Sequence, residues 1–172
     1  MERLTAQVVR PCQGRLIPAL GMQYKVGAAT GSSNLLVMEG VVPPGVLVTP
    51  HTHTREDECS YILAGSLTYL VGDDVLEATA GCYVPKPRDV RHAFWNASGA
   101  PARVLEIHTP TTFEHYYDRL GAIFESHDPQ GPEFRAAFDE LAAQHGLVLD
   151  WALHDELSGR YGLDGPPPGV VA

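Results

Sequence analysis

The first 110 residues are built from short apolar runs that glycine, proline and polar turns interrupt. The runs at 33–42, 59–65 and 66–71 are rich in Val, Leu and Tyr and are shorter than an average helix. Turn signals recur about every eight to twelve residues, a spacing typical of antiparallel sandwiches and barrels. We therefore expect a mainly β domain over residues 1–110, in which residues 1–30 form an N-terminal arm.

Residues 111–172 show a helical period instead. Aromatic and leucine side chains recur at helical spacing, and Thr111 with Glu114 predicts a capping box at the start of the first helix. The predicted elements are helices over 112–125, 132–145 and 150–162 and a loose tail over 163–172. We expect the first two helices of this C-terminal α-helical extension to pack their apolar faces on the outside of the β domain.

Composition narrows the partners that this chain can have. Its 172 residues carry a formal net charge of -9, whereas nucleic acids and anionic membrane surfaces favour basic proteins. The sequence contains no apolar stretch of membrane-spanning length, and its charged N-terminal segment does not resemble the apolar core of a signal peptide. We expect a cytoplasmic protein that binds a small molecule and neither nucleic acid nor membrane.

The three cysteines, Cys12, Cys59 and Cys82, are odd in number and show no C-x-x-C spacing. A disulfide framework is therefore not expected. The thiols are predicted to be reduced and buried, where each would act as a small apolar side chain.

Residues 51–58, with the sequence HTHTREDE, place two histidines and a carboxylate close together in the chain. His51 and His53 share one face of a strand, because side chains two apart point the same way. The polar residues 54–57 favour a turn, after which Glu58 opens a strand expected to lie antiparallel beside the first. Two imidazoles and a carboxylate suit a divalent transition metal. A strand-edge histidine pair next to a solvated acidic run would explain the same residues, so this segment alone leaves both interpretations open.

A second segment, GCYVPKPRDVRHAFWN at 81–96, favours the metal interpretation because it supplies another histidine in an ordered pattern. Residues 45–65 resemble the first conserved motif of the cupins, and residues 81–96 resemble the second. The matching positions are Gly45, His51, His53, Glu58 and Gly65 in the first motif and Gly81, Pro87, His92 and Asn96 in the second. Asp89 stands where the family usually has glycine, but aspartate tolerates a left-handed backbone, so the turn is expected to survive.

The resemblance covers roughly residues 30–110 and implies a single cupin jelly-roll barrel, which is a double-stranded β-helix with the metal in its interior. It also implies a set of four metal ligands, which are His51, His53, Glu58 and His92. The implied cofactor is a divalent transition metal ion, and Fe, Mn, Ni, Co, Cu and Zn all occur in the family.

Side chains near these ligands are expected to line a cavity or to face solvent. Ser60, on the face of Glu58, leaves room for a substrate, and Phe94 is expected to line the cavity. Glu106 and His108 share a face of the strand at 102–109, which a solvent-facing strand edge would explain. The alternative is a cavity acid or base at His108, which would add it to Ser60 and Phe94 as a substrate-binding residue. Asn96 is expected to make structural hydrogen bonds. The groups expected at the surface or at helix caps are Glu56, Asp57, Arg88, Arg91, His115, His127, His145 and His154.

Three nitrogens and one carboxylate leave coordination positions open for a substrate oxygen and dioxygen, which favours a metal-dependent dioxygenase acting on a small enol or phenol. Glu58 is then expected to be a catalytic base as well as a ligand. The segment TFEHYYDRLG at 112–121 is similar to a helix of small quercetin-dioxygenase-like cupins. Redox-neutral decarboxylation, isomerisation or cyclisation on the same metal and non-catalytic binding of a small molecule are the alternatives. A homodimer is expected, since the apolar stretches of the arm would seek a sheet edge.

Overall fold

The computed structural model of the protein describes residues 8–32 and 34–163. Its elements in chain order are β1 (Leu16–Ile17), β2 (Met22–Val26), β3 (Leu36–Val42), β4 (Leu47–His53), β5 (Asp57–Ala64), β6 (Ser66–Val71), β7 (Asp74–Thr79), β8 (Tyr83–Lys86), β9 (His92–Trp95), β10 (Ala102–Thr109), α1 (Glu114–Ser126), α2 (Pro132–His145), β11 (Leu147–Leu149) and α3 (Trp151–Tyr161). The three helices lie close to their predicted positions. Apart from Leu163, the predicted loose tail lies outside the described residues. Every helix in the described ranges is too short or too polar to cross a membrane.

The strands form two antiparallel sheets. The six-stranded sheet has the order β1-β2-β3-β10-β5-β8, and the five-stranded sheet has the order β11-β4-β9-β6-β7. Neighbours such as β3 with β10 and β4 with β9 are far apart in the sequence, as in a double-stranded β-helix. The predicted fold class is therefore confirmed: a mainly β jelly roll followed by C-terminal helices.

The space between the sheets changes character along the strands. On β5 the buried positions are Glu58, Ser60 and Ile62, so the inner face begins polar and becomes apolar. Ile62 packs in a buried cluster with Tyr69 and Phe94 of the opposite sheet. Burial of this cluster stabilises the contact between the sheets, since each large apolar side chain contributes about 1.5–3 kcal/mol when fully buried.

β4 and β5 are not adjacent in a sheet, so that part of the sequence prediction is wrong. β4 pairs with β9 in the five-stranded sheet, and β5 pairs with β10 and β8 in the six-stranded sheet. The polar segment 54–56 carries the chain from one sheet to the other. His51 and Glu58 consequently belong to opposite walls of the interior.

The N-terminal arm pairs with its own chain. β1 and β2 extend the six-stranded sheet beside β3, with Met22 opposite Gly40. The arm was expected to seek a sheet edge in its own or a neighbouring barrel, and in this structure it covers an edge of its own. The homodimer stays a prediction, which light scattering at working concentration would test.

The expectation that the first two helices pack on the outside of the barrel is wrong. Leu36 and Met38 of β3 belong to the inner face of the six-stranded sheet and pack with Tyr24, Leu120 of α1 and Phe138 of α2. The arm strands widen this sheet, so apolar inner surface is left over, and α1 and α2 cover it. The packing of α1 and α2 therefore places them beside the barrel interior.

The third helix takes the outer position. Leu157 of α3 packs with Leu47 and Trp95, which project from the five-stranded sheet. The side chain of Asp150 caps α3 by accepting a hydrogen bond from the Leu153 backbone N–H, at 3.0 Å.

The predicted capping box at Thr111 and Glu114 is wrong. A 3-10 turn spans Thr111–Phe113, and α1 begins only at Glu114. The Glu114 carboxylate instead accepts a hydrogen bond from the Ala28 backbone N–H, at 3.1 Å, and so ties the helix to the arm. The Glu114 carboxylate therefore binds the arm, which is distant in sequence, instead of the first turn of its own helix.

The cysteines are free, as predicted, but they are less buried than expected. Cys12 and Cys82 are exposed and Cys59 is half-buried. Cys12 precedes the first strand and Cys82 follows the last residue of a tight turn, so neither occupies an inward-facing strand position.

Candidate metal centre

Three histidines converge on the inner face of the five-stranded sheet. His51 of β4 lies opposite His92 of β9, with ring centroids 4.4 Å apart, and the centroid of His53 lies 5.0 Å from that of His51. The pairing of β4 with β9 shifts register between Val48 and His51, at a point where Pro50 has no N–H for the ladder. The shift allows Val48 to pack in the apolar core while both histidines of β4 reach the site.

Backbone carbonyls fix the orientation of two of these rings. His51 Nδ1 donates to the carbonyl of Thr49 at 2.7 Å, and His92 Nδ1 donates to the carbonyl of Val90 at 2.9 Å. Each contact leaves Nε2 as the nitrogen that faces the site. A hydrogen bond from the far nitrogen is the usual way in which proteins orient a metal-binding imidazole.

A carboxylate performs the same task for His53. Its Nδ1 lies 3.3 Å from Glu56 Oε2, and both side chains are almost fully buried. The expectation that Glu56 faces solvent is therefore wrong, because the turn between the sheets folds this residue inward. Asp57, the next acidic residue, is exposed as expected and pairs with Arg88.

Glu58 approaches the histidines from the six-stranded sheet. Its Oε2 lies 2.9 Å from His92 Nε2 and 3.3 Å from His53 Nε2. The potential ligand atoms of His51, His53, Glu58 and His92 all lie within 4.8 Å of one another, and all four side chains are buried. Three oriented imidazoles and one carboxylate oxygen fit a divalent transition metal ion. The sequence-predicted set is thus brought together as one candidate metal site.

Electrostatics suit the binding of a cation. Burial, followed by the neighbouring His92 and His53, lowers the pKa of His51 well below its usual value, so the ring is neutral. Burial would raise the pKa of Glu58, but the Lys86 ammonium and the hydrogen bonds from His53 and His92 outweigh it and hold this pKa well below the usual range. Burial also opposes protonation of His53, yet Glu56 and Glu58 raise its pKa to about 9, so metal binding would release a proton there.

The turn before His92 keeps the shape that the motif requires. Asp89, which stands in place of the usual glycine, has a φ of 65°, in the left-handed region, as predicted. Its backbone N–H donates to the carbonyl of His53 at 2.8 Å. This bond between Asp89 and His53 links the two motifs directly through backbone groups. Asn96 makes structural hydrogen bonds, as expected, donating to the carbonyls of Val42 and Ala100.

A buried charged cluster lies on the other side of Glu58. Lys86 Nζ is 2.9 Å from Glu58 Oε1 and 2.7 Å from Glu106 Oε2, and Ser60 Oγ is 2.8 Å from Glu106 Oε1. Strand register produces this cluster, because Lys86 pairs with Glu58 and Glu106 pairs with Ser60 across neighbouring strands. Burial and the Glu58 carboxylate raise the pKa of Glu106 to about 8, although Lys86 opposes the shift.

The expected solvent-facing strand edge at Glu106 and His108 is wrong, because both residues are buried on the inner face of β10. The expected room at Ser60 is also missing, since its fully buried hydroxyl contacts Glu106. His108 Nε2 lies 2.9 Å from Tyr117 Oη of α1 and 3.6 Å from Glu58 Oε1. Burial lowers the pKa of His108 to about 3, so the ring is neutral.

Four contributors to the site were not predicted from the sequence: Glu56, Lys86, Phe113 and Tyr117. The ring of Phe113 lies 4.7 Å from that of His53 and 5.4 Å from that of His108. A signal for the two aromatic residues was present in the apolar stripe of the first helix. The helical period shows that this face is apolar, but it does not show that the face packs against the barrel interior. For Lys86 the signal was strand alternation, which places it on the buried face of Val84.

An apolar cavity opens beside the candidate ligands. His51, Glu58 and Glu106 line one part of it, and Phe94 lines it as expected. Most of the remaining wall is aliphatic or aromatic, with contributions from the arm, β3, β4, α1 and α2, including Met22, Val42, Val48, Leu120 and Phe138. Among the described residues that line the cavity, none is a lysine or an arginine.

The remaining polar residues singled out from sequence lie away from the cavity. His115 is exposed, whereas His127 and His145 are half-buried at the ends of α1 and α2. His154 is buried against Trp151, so its expected surface position is wrong. Arg91 pairs with Asp150 as part of a solvated face.

Comparison with known proteins agrees with this geometry over the motif-bearing part of the chain. Residues 38–108 match the family described as Cupin domain. The chain contains a cupin domain. No curated protein sequence matches it.

Three solved structures illustrate how far the likeness of this chain to known proteins extends. A protein described as a predicted oxalate decarboxylase from Thermotoga maritima shares 22% identity over 52% of this chain and 78% of its own, with a TM-score of 0.48. A sugar phosphate isomerase from Silicibacter pomeroyi shares 29% identity over 58% of this chain and 66% of its own, with a TM-score of 0.48. A protein from Thermus thermophilus shares 26% identity over 46% of this chain and 75% of its own, with a TM-score of 0.44.

Proposed function

We propose that this cupin is a metal-dependent dioxygenase that acts on a small, largely apolar organic molecule carrying an enol or phenol oxygen. The observation that carries the proposal is the position of the candidate metal site at the wall of an apolar cavity. Such a cavity favours a ligand with one polar group at the metal and an apolar body beyond it.

The protein's own side chains would position this substrate. His51, His53, Glu58 and His92 would hold the ion, and a redox-active divalent metal would supply Lewis acidity and electron transfer to dioxygen. Phe94 and the aliphatic walls would hold the body of the substrate and exclude water. Glu58 would supply the only negative charge among the four ligands, so a deprotonated substrate oxygen would complete charge neutrality at the site.

The predicted role of Glu58 as a catalytic base stays part of this proposal, and it can be tested separately from ligation. Its low pKa makes the Glu58 carboxylate a weak proton acceptor, and this favours the ligand role over the base role. Ser60 and His108, predicted to bind substrate, would act through Glu106 and Tyr117, which both line the cavity.

Redox-neutral chemistry on the same metal is the alternative activity. Phosphorylated substrates need cationic side chains, and the described cavity wall offers none. This observation supports an apolar substrate over a sugar phosphate and makes the oxygenase the better first test.

The decisive experiment loads the stripped protein with Fe, Mn, Ni, Co or Zn and measures oxygen consumption with flavonols, diketones and catechols. At least one redox-active form is expected to consume oxygen in step with loss of substrate, and His92→Ala is expected to abolish the reaction. If every redox-active form is inert while the Zn form converts a substrate without oxygen, the Lewis-acid alternative replaces the proposal. Binding of a substrate without conversion by any form would favour the non-catalytic alternative.

A further inference from the structure

The two oxygens of the Glu58 carboxylate face different partners. Oε2 lies 2.9 Å from His92 Nε2 and 3.3 Å from His53 Nε2, on the side of the candidate ligands. Oε1 lies 2.9 Å from the Lys86 ammonium. A carboxylate can bind a metal through one oxygen or through both, so the partner of the second oxygen matters for the coordination of the ion.

Lys86 is held tightly in this position. Its side chain is buried, and Nζ also lies 2.7 Å from Glu106 Oε2. The ammonium sits over the ring of Phe94, 5.2 Å from its centroid, which adds a cation–π contact. Burial alone would lower the pKa of Lys86, but Glu106 and Glu58 outweigh it and raise the pKa above the usual value, so the side chain is charged.

We infer that Lys86 is a positioning residue of the metal centre: it retains Oε1 of Glu58, so that this carboxylate binds the ion through Oε2 alone. The consequence is a lower coordination number, which keeps a position free for the substrate oxygen. The inference rests on the metal-binding part of the proposed function and goes beyond the four ligands. It concerns no step of oxygen chemistry, so it can be tested with the metal alone.

The electrostatic reason for binding through Oε2 alone is that the Lys86 ammonium already occupies the Oε1 side of the Glu58 carboxylate. For a bound ion to reach Oε1, it would have to displace an ammonium that is ion-paired with Glu58 and hydrogen-bonded to Glu106. Buried ammonium groups that lose a partner are strongly disfavoured, so this displacement opposes two-oxygen binding. Removing the ammonium removes that opposition.

The test uses Co²⁺ as a spectroscopic probe, because its visible absorption weakens as its coordination number rises. Wild-type protein titrated with Co²⁺ is expected to give an intense visible band. Lys86→Met is expected to weaken the band about twofold as Oε1 joins the coordination sphere. Lys25→Met is the matched control. It removes a lysine whose Nζ lies 3.6 Å from Glu39 Oε2, in an ion pair away from the candidate ligands.

Lys86→Met leaves the buried side chains of Glu58 and Glu106 without their ammonium partner, so it is paired with a second variant that also changes Glu106. Lys86→Met combined with Glu106→Gln replaces both partners of the Lys86–Glu106 contact by uncharged side chains of similar length, and its fold is checked by circular dichroism. A folded Lys86 variant with an unchanged Co²⁺ band overturns the inference, since a merely structural lysine would leave the coordination of the ion unaltered. Failure of the wild-type protein to bind Co²⁺ at all would instead remove the metal site on which the proposed function rests.

Discussion

The candidate metal centre has two halves that are built in different ways. On the five-stranded sheet, the histidines are held by partners two or three residues away: Thr49 for His51, Val90 for His92 and Glu56 for His53. On the six-stranded sheet, the carboxylate side is held by partners distant in sequence. The Lys86–Glu106 contact spans 20 residues and the Ser60–Glu106 contact spans 46.

The difference shows how much each half depends on the closed barrel. A hydrogen bond to a carbonyl two residues away needs little beyond a local turn. The cluster of Lys86, Glu58 and Glu106 exists only when β5, β8 and β10 pair in the observed register. Burying these charges is costly unless each is paired, so we expect this half to be more sensitive to the loss of one member. The histidine half should govern metal affinity, and the carboxylate half should govern both stability and coordination.

The largest effect is expected from removing ligands on the histidine side. His51→Ala combined with His92→Ala should weaken metal binding by more than about 100-fold, because two of the four converging groups are lost. Metal analysis of the purified protein and titration with Co²⁺ would measure this. His127→Ala, which removes a histidine at the end of α1, serves as the control. Full metal occupancy in the double variant would refute the assignment of the site.

The carboxylate half is tested by removing one of its members. Glu106→Ala should lower the free energy of unfolding of the metal-free protein by about 3 kcal/mol, since Lys86 and Ser60 each lose a buried partner. Glu106→Gln, which retains an oxygen and adds a donor, should cost less. Urea unfolding monitored by circular dichroism would measure both. Equal stability of Glu106→Ala and wild type would mean that the charged cluster contributes nothing to the fold.

A more modest effect is expected at the group that orients His53. Glu56→Ala should weaken metal binding about tenfold, because the ring loses the partner of its Nδ1. The neighbouring substitution Asp57→Ala is a matched control, since that carboxylate is exposed and contacts Arg88 instead. Competition with a chelating dye would compare the two. The same loss in both variants would indicate a general charge effect rather than orientation of His53.

The smallest effect is expected at an ion pair outside both halves, which sets a baseline for the buried contacts. The hydrogen bond from Arg135 lowers the pKa of Asp155 below its usual 3.8. A lowered pKa stabilises the folded state above the unfolded pKa, and this stabilisation disappears as the pH falls through the folded pKa. Asp155→Asn should therefore cost less than about 1 kcal/mol near neutral pH, because solvent screens the pair, and the difference from wild type should shrink as the pH falls below the unfolded pKa of 3.8. Urea midpoints over this pH range would show whether the trend has the opposite sign.

Much of the fold followed from local pattern. Alternation and turn spacing predicted the β domain, helical periodicity predicted α1, α2 and α3, and the two motifs identified the side chains that converge at one place. Asp89 adopted the left-handed turn that the motif needed. These features depend on neighbours a few positions away, so the sequence contains them directly.

The errors at Glu56, Glu106 and His154 share one cause, which is that solvent exposure was inferred from residue type. Glu56, Glu106 and His154 were expected at the surface because charged and polar residues usually lie there. Each is buried because another element supplies a partner or covers it, as His53 does for Glu56. The helices were expected outside the barrel because nothing in their pattern showed that the arm strands would leave inner surface for them to cover.

The sequence by itself determined the jelly roll and the identity of the four converging side chains. The tertiary structure alone decided that β4 and β5 lie in opposite sheets, that α1 brings Tyr117 to His108, and that Lys86 meets Glu58 and Glu106. The physical reason is range. Backbone periodicity and turn preferences act between near neighbours, whereas strand register and the burial of charge are set only when distant segments close around a common interior.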